Sequence, residues 1–300
     1  MGTKTTSGTL FNPELVSEMF NKVKGHSTLA KLSGASPMPF AGTDTFVFSM
    51  DGEASIVGEG AQKPAGAAAI STITIKPIKF VYQHRVTDEF VNLSEEKRIP
   101  YLQAFTDGFA KKIARALDIS AFHGVNPATG EASAIVGTNS FAGTVTDAGH
   151  IITYNSSTPD DNIDTAVAAV QGSDGVVNGI AMAPAFGAAL GAMKMADSHA
   201  AMYPEFRFGG NPASFSGLAS DINNTVVFGA NNKLRAVVGD FSNCFKWGYA
   251  ANIPLEIIQF GDPDGQGDLK RTNEIVLRSE AYIGWGILDA NSFALIKVNP

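Results

Sequence analysis

The sequence predicts an α+β protein. One long amphipathic helix is expected from about Ile99 to His123, and several other runs alternate with the period of a strand. Helices and strands mix without the strict strand–helix–strand alternation of a parallel sheet, and no internal repeat is visible.

The first expected element is a helix. Asn12 suits the N-cap and Pro13 the first helical position. Leu15, Val16, Met19, Phe20 and Val23 recur at helical spacing, Lys22 and Lys24 complement the C-terminal dipole, and Gly25 supplies the stop. So short a helix with so large an apolar face must dock on something. Ser33 to Gly42, with Pro37 and Pro39, is irregular. Thr43 to Met50 then alternates, with Phe46 and Phe48 on one face and Thr45 and Val47 on the other. Asp51 to Ala69 is rich in Gly and Ala and reads as a long functional loop. A second strand runs from Ile70 through Ile78 and Phe80 to Tyr82. Two long strands around one loop form an extended β-arm, and a two-stranded arm is marginal in water unless it lies on a partner.

In the long helix, Leu102, Phe105, Phe109, Ile113 and Leu117 form one stripe, Lys111, Lys112 and Arg115 lie mostly off it, and Gly124 ends it. Asn126 to Thr158 is loop-rich, with short strands expected at Ser133–Val136 and Ile151–Tyr154. A new domain opens near Asp160, with a helix carrying Ile163, Val167 and Val170, a buried strand at Gly179–Ala183 and a helix at Ala185–Ser198. Strands follow at Leu234–Asp240, Phe245–Trp247, Ile253–Phe260, Glu274–Trp285 and Ser292–Val298.

Composition narrows the function. The 300 residues carry 22 Lys+Arg and 29 Asp+Glu, a formal net charge of −7. Only 17% are charged, against about 25% in an average soluble domain, while 44% are hydrophobic, with 31 Gly and 20 Phe. An acidic chain grips duplex DNA poorly, because that needs phosphate-neutralising Lys and Arg. The most apolar stretch, Ile180 to Ala196, contains Pro184 and Lys194 and is too short to span a bilayer, so no membrane partner is expected. The opening residues lack the apolar core of a secretory signal, and Cys244 alone cannot form an internal disulfide. The expectation is a soluble intracellular chain whose missing charge reflects burial against other protein.

No catalytic constellation emerges. His26, His84, His123, His150 and His199 do not form a zinc-helix motif, and one Cys cannot build a Cys-rich metal site. Asp197-Ser198-His199 names the residue types of a triad, but adjacent residues cannot converge as one. Gly58-Glu59-Gly60 lacks the third glycine and the following helix of a dinucleotide loop. Asp262, Asp264 and Asp268 open like a calcium loop with Gly267 at its sixth position. Its twelfth is Asn273 rather than a bidentate Glu, and an acidic surface turn explains the run as well. No cofactor is expected.

The order of elements resembles the major capsid proteins of tailed bacteriophages, the Hong Kong 97 fold that encapsulin shells share. Asn12-Pro13-Glu14-Leu15-Val16 through Ser27-Thr28-Leu29-Ala30-Lys31-Leu32 is similar to the family's N-terminal arm. Val57-Gly58-Glu59-Gly60-Ala61-Gln62-Lys63-Pro64 is similar to the tip of its extended loop, and Ile99 to Gly124 to its spine helix. Met182-Ala183-Pro184-Ala185-Phe186 resembles the axial domain. Val238-Gly239-Asp240-Phe241, Trp247-Gly248 and Ile253 to Gln259 resemble the return to the peripheral domain, and Asn273 to Leu288 the closing strand. The resemblance implies an N-terminal arm at 1–42, an extended loop at 43–83 and a peripheral domain with the spine helix at 84–157. An axial domain at 158–251 and return strands at 252–300 complete the division.

The implied function is non-enzymatic shell building. Homo-pentamers and homo-hexamers would tile an icosahedral head assembled in the host bacterial cytoplasm and enclosing double-stranded DNA without sequence-specific binding. The arm follows soon after Met1, so a separate scaffold protein or none is implied, together with a portal and cement proteins. An encapsulin-type nanocompartment is the alternative. Some relatives also join an extended-loop lysine to a neighbour's asparagine with help from a glutamate. By motif position these are Lys63, Asn273 and Glu280. Tyr282, Trp285 and Phe293 would supply the apolar setting that shifts both pKa values toward reactivity. Asn273 and Glu280 are an odd number apart, so the asparagine must sit in the loop before the strand rather than within it.

Overall fold

The computed structural model describes residues 26–51, 54–93, 95–229, 233–250 and 255–299. The helix expected over Asn12–Gly25 lies outside the described residues. The described chain enters at a short helix, α1 (Thr28–Leu32), whose N-cap Ser27 accepts the Ala30 N–H on its hydroxyl. Residues 35–38 then run beside β9 (Phe245–Tyr249), with Ser36 N–H donating to the Trp247 carbonyl at 2.9 Å and Met38 N–H to that of Tyr249 at 3.1 Å.

The alternating run forms β1 (Thr43–Asp51), paired antiparallel with β2 (Ala67–Ile75). The expected single return strand breaks at Lys76-Pro77. Proline has no N–H for a ladder, so β2 stays in the hairpin while β3 (Ile78–Thr87) joins another sheet. After the short α2 (Glu89–Asn92), the long helix α3 (Glu95–His123) starts before Ile99 and runs through Pro100. Pro100 is the sixth residue of this helix, past the first turn, so it removes one i→i−4 hydrogen bond that the rest of the helix must outweigh. Leu102, Phe109, Ile113 and Leu117 are all buried as the stripe requires, and Gly124 closes the helix at φ +70°.

Two larger sheets complete the fold, and the long helix packs on β3 and β11 (Glu274–Ile287) of the first. That sheet has the order β10 (Leu255–Ile258), β11, β3, with β9 also paired to β11, all antiparallel. The other has the order β4 (Ile151–Thr153), β12 (Phe293–Lys297), β8 (Leu234–Gly239), β5 (Gly179–Met182), β7 (Leu218–Ile222), β6 (Ser214–Phe215). Helices α5 (Pro159–Gly172) and α6 (Pro184–Ala192) cover it. β6 and β7 are not apparent from sequence pattern. The strand expected at Ser133–Val136 is a turn, bracketed by Gly130 and Gly137 at positive φ. The helix expected to reach Ser198 ends at Ala192. Gly191 there lies so close to the Phe206 backbone that an added Cβ would approach its carbonyl oxygen to 2.7 Å. The sheets also cut across the sequence-based division. β12, placed among the peripheral return strands, lies in the six-stranded sheet, and β9, placed in the axial domain, pairs with β11.

One core spans both sheets, which explains the high phenylalanine count. Phe141, in α4 (Phe141–Thr144), is its hub, with ring centroids 5.0 Å from Phe293, 5.5 Å from Phe245, 5.6 Å from Phe122 and 5.9 Å from Phe241. Buried indoles find polar partners: Trp285 donates to Asn139 O at 3.0 Å and Trp247 to Ser33 O at 3.2 Å.

Glycines make a notch where the arm and hairpin cross the first sheet. Gly248 and Gly284 are register partners. A Cβ on Gly248 would fall 1.8 Å from Ser36 O, on Gly284 2.5 Å from Met38 Sδ, and on Gly286 2.7 Å from an Ile75 side-chain carbon. The bulkless notch thus seats residues 36–38 and the hairpin base. Gly248→Ala is expected to cost about 1–3 kcal/mol by overpacking, read as a lower urea midpoint at unchanged m-value.

Candidate assembly site

The hairpin β1–β2 has an inner and an outer face. On the inner face Thr45, Val47 and Ile73 are half-buried and Ile75 is buried in the notch. On the outer face Phe46 is 72% exposed, Phe48 57% and Ile70 71%. The register sets Phe48 opposite Ile70 and Phe46 opposite Thr72, so the three apolar side chains form one stripe. Ile56 and Val57 extend the exposed apolar surface toward the loop tip. A contiguous apolar stripe on a projecting ribbon marks a surface meant for protein contact.

The root of the N-terminal arm is held by two buried carboxylates. Asp118 of α3 accepts four hydrogen bonds: from the Ser27 hydroxyl at 2.5 Å, Thr28 N–H at 2.9 Å, Leu29 N–H at 3.3 Å and the Thr225 hydroxyl at 2.9 Å. It therefore caps α1 from outside the helix. Asp221 of β7 accepts from the Thr28 hydroxyl at 2.6 Å and pairs with Lys31 at 2.6 Å. Thr28 bridges the two carboxylates, and Asn223 donates to His26 O at 3.2 Å. One short helix is thus fastened to the long helix and to the six-stranded sheet together. Burial pushes the Asp118 carboxyl up to about 6, only partly offset by its four donors. On the same helix His123 is pushed down to about 4 by burial, and its Nε2 lies 3.0 Å from Thr225 O.

The residues singled out by sequence fall in three places. Lys63 is exposed in the loop between β1 and β2. Asn273 is exposed in a left-handed conformation (φ 55°) that ends α7 (Leu269–Thr272) and precedes β11, so strand parity does not separate it from Glu280. Glu280 faces outward from β11, paired with Lys79 at 2.6 Å and accepting the Tyr282 hydroxyl at 3.3 Å. That carboxylate holds the Lys79 ammonium above its ordinary value. Tyr282 is beside Glu280 as expected, and Phe40 packs on it at 4.9 Å. Trp285 and Phe293 are instead fully buried in the shared core and supply nothing to Glu280.

The acidic turn gathers around a guanidinium. Arg85 donates through Nε to Asp264 at 2.7 Å and through its terminal nitrogens to Asp264, to Glu274 at 2.8 Å and to Gly267 O at 2.8 Å, while Asp262 lies 3.6 Å away. Asp268 caps α7 by accepting the Lys270 N–H at 2.9 Å. The carboxylates considered for calcium thus serve Arg85 and a helix cap, and Arg85 holds the Asp264 carboxyl down to about 2. Among the described residues no group of three or more His, Cys, Asp or Glu side chains is placed to hold a metal ion, and no helix is long and apolar enough to cross a membrane.

Sequence reading missed the carboxylate socket. Asp118 and Asp221 stand 91 and 193 positions from the arm residues they hold, beyond any local pattern. The one available hint was an aspartate inside a helix otherwise apolar around it, Ala116 to Phe122.

Comparison with known proteins gives consistent matches. The family model described as the phage capsid family matches residues 7–298. A solved chain from Mycobacterium phage Ogopogo superposes with a TM-score of 0.77 at 32% identity, covering 91% of this chain and 92% of that one. A chain from Gordonia phage Cozz gives 0.71 at 23% identity, covering 91% and 86%. A structure titled as the capsid of a native GTA particle gives 0.65 at 16% identity, covering 91% and 90%. No curated protein sequence matches the chain.

Proposed function

Because the chain belongs to the phage capsid family, we propose that its hairpin and anchored arm join pentamers and hexamers of this one chain into an icosahedral head around double-stranded DNA. The chain is a major capsid protein: a structural protein that forms a phage shell and resides in the virion. The observation that carries the finer reading is the exposed stripe Phe46, Phe48 and Ile70, which needs another protein to cover it. Rotational symmetry lets one patch meet a different patch on an identical chain and close a ring. In this reading the arm and the hairpin lie over neighbouring subunits. The long helix with the β11 sheet contacts other capsomers, and the six-stranded sheet with α5 and α6 surrounds the capsomer axis. Assembly takes place in the host cytoplasm with a separate scaffold protein, a portal and cement proteins as partners. Electron microscopy of the expressed chain tests this: closed hollow particles are expected, and a monomer at every concentration overturns it.

The same reading includes a covalent step between subunits. The Lys63 amine attacks the Asn273 side-chain carbonyl of a neighbour, a C–N amide bond forms, the bond to the asparagine nitrogen breaks and ammonia leaves. Glu280 takes the proton released by the lysine and hands it to the departing nitrogen. It comes from a subunit other than the one supplying Asn273, because seven residues of strand hold the two roughly 20 Å apart in one chain. The open left-handed position of Asn273, clear of the strand, and the fixed position of Glu280 support it. Boiling particles in detergent is expected to give a ladder of linked chains that Lys63→Arg abolishes. A single monomer band from the wild type overturns the step.

A further inference from the structure

The six-stranded sheet carries one feature that its own packing does not need. The 3-10 turn Pro204–Gly209 leads into edge strand β6, and inside it Phe208 adopts φ 56°, ψ 32°. Only glycine adopts this left-handed region freely, and for an aromatic residue it is an outlier. The strain secures no core contact, because Phe208 is 98% exposed. The tip is nevertheless built rigidly. Gly209 follows at φ 81°, a Cβ on Gly210 would lie 2.0 Å from Glu205 O, and Phe206 below is buried edge-on against Phe215 at 5.0 Å. The Arg207 guanidinium stacks over the Phe208 ring at 5.1 Å, and among the described residues no carboxylate pairs with it. Strain retained at an exposed aromatic and arginine points to a contact made with something else.

We infer that the Arg207–Phe208 tip is a contact element for a second copy of this chain, received where copies meet around a rotation axis. The charge around the tip identifies the partner. Near the tip the Tyr203 hydroxyl donates to Asp160 at 3.3 Å; burial raises its pKa, and the charges of Asp160, Asp164 and Glu205 raise it further. The region therefore carries a guanidinium that no carboxylate pairs with among the described residues, and separate carboxylates gathered around Tyr203. In a ring, Arg207 of one copy meets the carboxylates of the next, while Phe208 fills the apolar space between them. This rests on the shell reading above.

Phe208→Gly separates the tip from the fold. Glycine removes the strained conformation, so the dissociated subunit should melt no lower than wild type. Loss of the anchor should nevertheless raise the concentration needed for assembly about tenfold or more. Arg207→Glu should do the same, with partial recovery when Asp160→Lys is added. Sedimentation and electron microscopy read assembly, and calorimetry reads the subunit. If wild-type chains form particles and Phe208→Gly assembles at the same concentration, the tip proposal is overturned and the shell reading stands. If wild-type chains form no particles, the shell reading is what fails.

Discussion

Phe46→Thr combined with Phe48→Thr yields a folded subunit that no longer closes into shells. Threonine keeps the strand preference, so the β1–β2 ladder survives. Both rings lie on the exposed outer face, so the isolated subunit loses almost no burial. In a shell each ring covered by a neighbour contributes about 1.5–3 kcal/mol, or about 3–6 kcal/mol for the pair in every subunit. That corresponds to roughly a hundredfold to ten-thousandfold weaker association per contact, compounded over every copy. The expected result is an unchanged circular-dichroism melt with no particles by electron microscopy at the wild-type assembly concentration. Val47→Thr, on the inner face, should instead lower the melt and spare assembly competence in whatever remains folded. Normal particles from the double variant would overturn the role assigned to the stripe.

Asp118→Asn should stabilise the subunit at pH 8. The folded pKa of Asp118, about 6, exceeds its ordinary 3.8, so the fold holds this proton more tightly than the unfolded chain does. Its stabilising contribution is therefore complete below about pH 4 and is lost as the pH rises through about 6. At pH 8 a charged buried carboxylate costs about 3 kcal/mol relative to its protonated form. Asparagine resembles the protonated form. Its oxygen can accept from Thr28 and Thr225 while its amide donates to Ser27, and the long contact to Leu29 is given up. A gain of about 1–3 kcal/mol at pH 8 is expected, falling to about half of that at pH 5 and to nothing below about pH 4. His123 acts with the opposite sign. Its folded pKa, about 4, lies below 6.5, so its contribution is present above 6.5 and is lost as the pH falls through about 4. In the wild type the two groups oppose each other between pH 4 and 6.5. In Asp118→Asn the histidine acts alone, so the variant should lose stability more steeply in acid. Asp118→Ala orphans two buried N–H groups of α1 and should cost about 3 kcal/mol or more at either pH. Urea midpoints at pH 5 and pH 8 read all three chains. An asparagine variant less stable than wild type at pH 8 would show that the charged form is what the socket needs.

Where a residue's role depends on near neighbours, the sequence was informative. The alternation of Phe46 and Phe48 with Thr45 and Val47 identified both the hairpin strand and its two faces. The Leu102–Leu117 stripe identified the long helix, and the alternating stretch from Glu274 identified the long central strand. The break at Pro77 was legible in principle, because proline cannot extend a ladder, but the apolar alternation continues across it. β6 and β7 were missed because two and five residues carry too little period to separate from loop. Among the chemically suggestive residues, the acidic turn resembled an ion loop only because Arg85, 179 positions away, is absent from any local view. Trp285 and Phe293 were assigned to Glu280 by nearness in sequence, whereas the shared core claims both.

Fold class, the main elements and the surplus of uncovered apolar surface follow from the amino-acid order alone, because helix and strand periods are set by backbone geometry within a few residues. The low charge belongs with these: a chain with so little of it must cover surface with other protein. The three-dimensional structure alone decided which strands share a sheet, that one core serves both sheets, and that Asp118 and Asp221 fasten the arm. It also decided that Phe208 stands strained and bare. Each of those depends on groups brought together across long loops, where closure and burial select the partner and no local spacing records the choice.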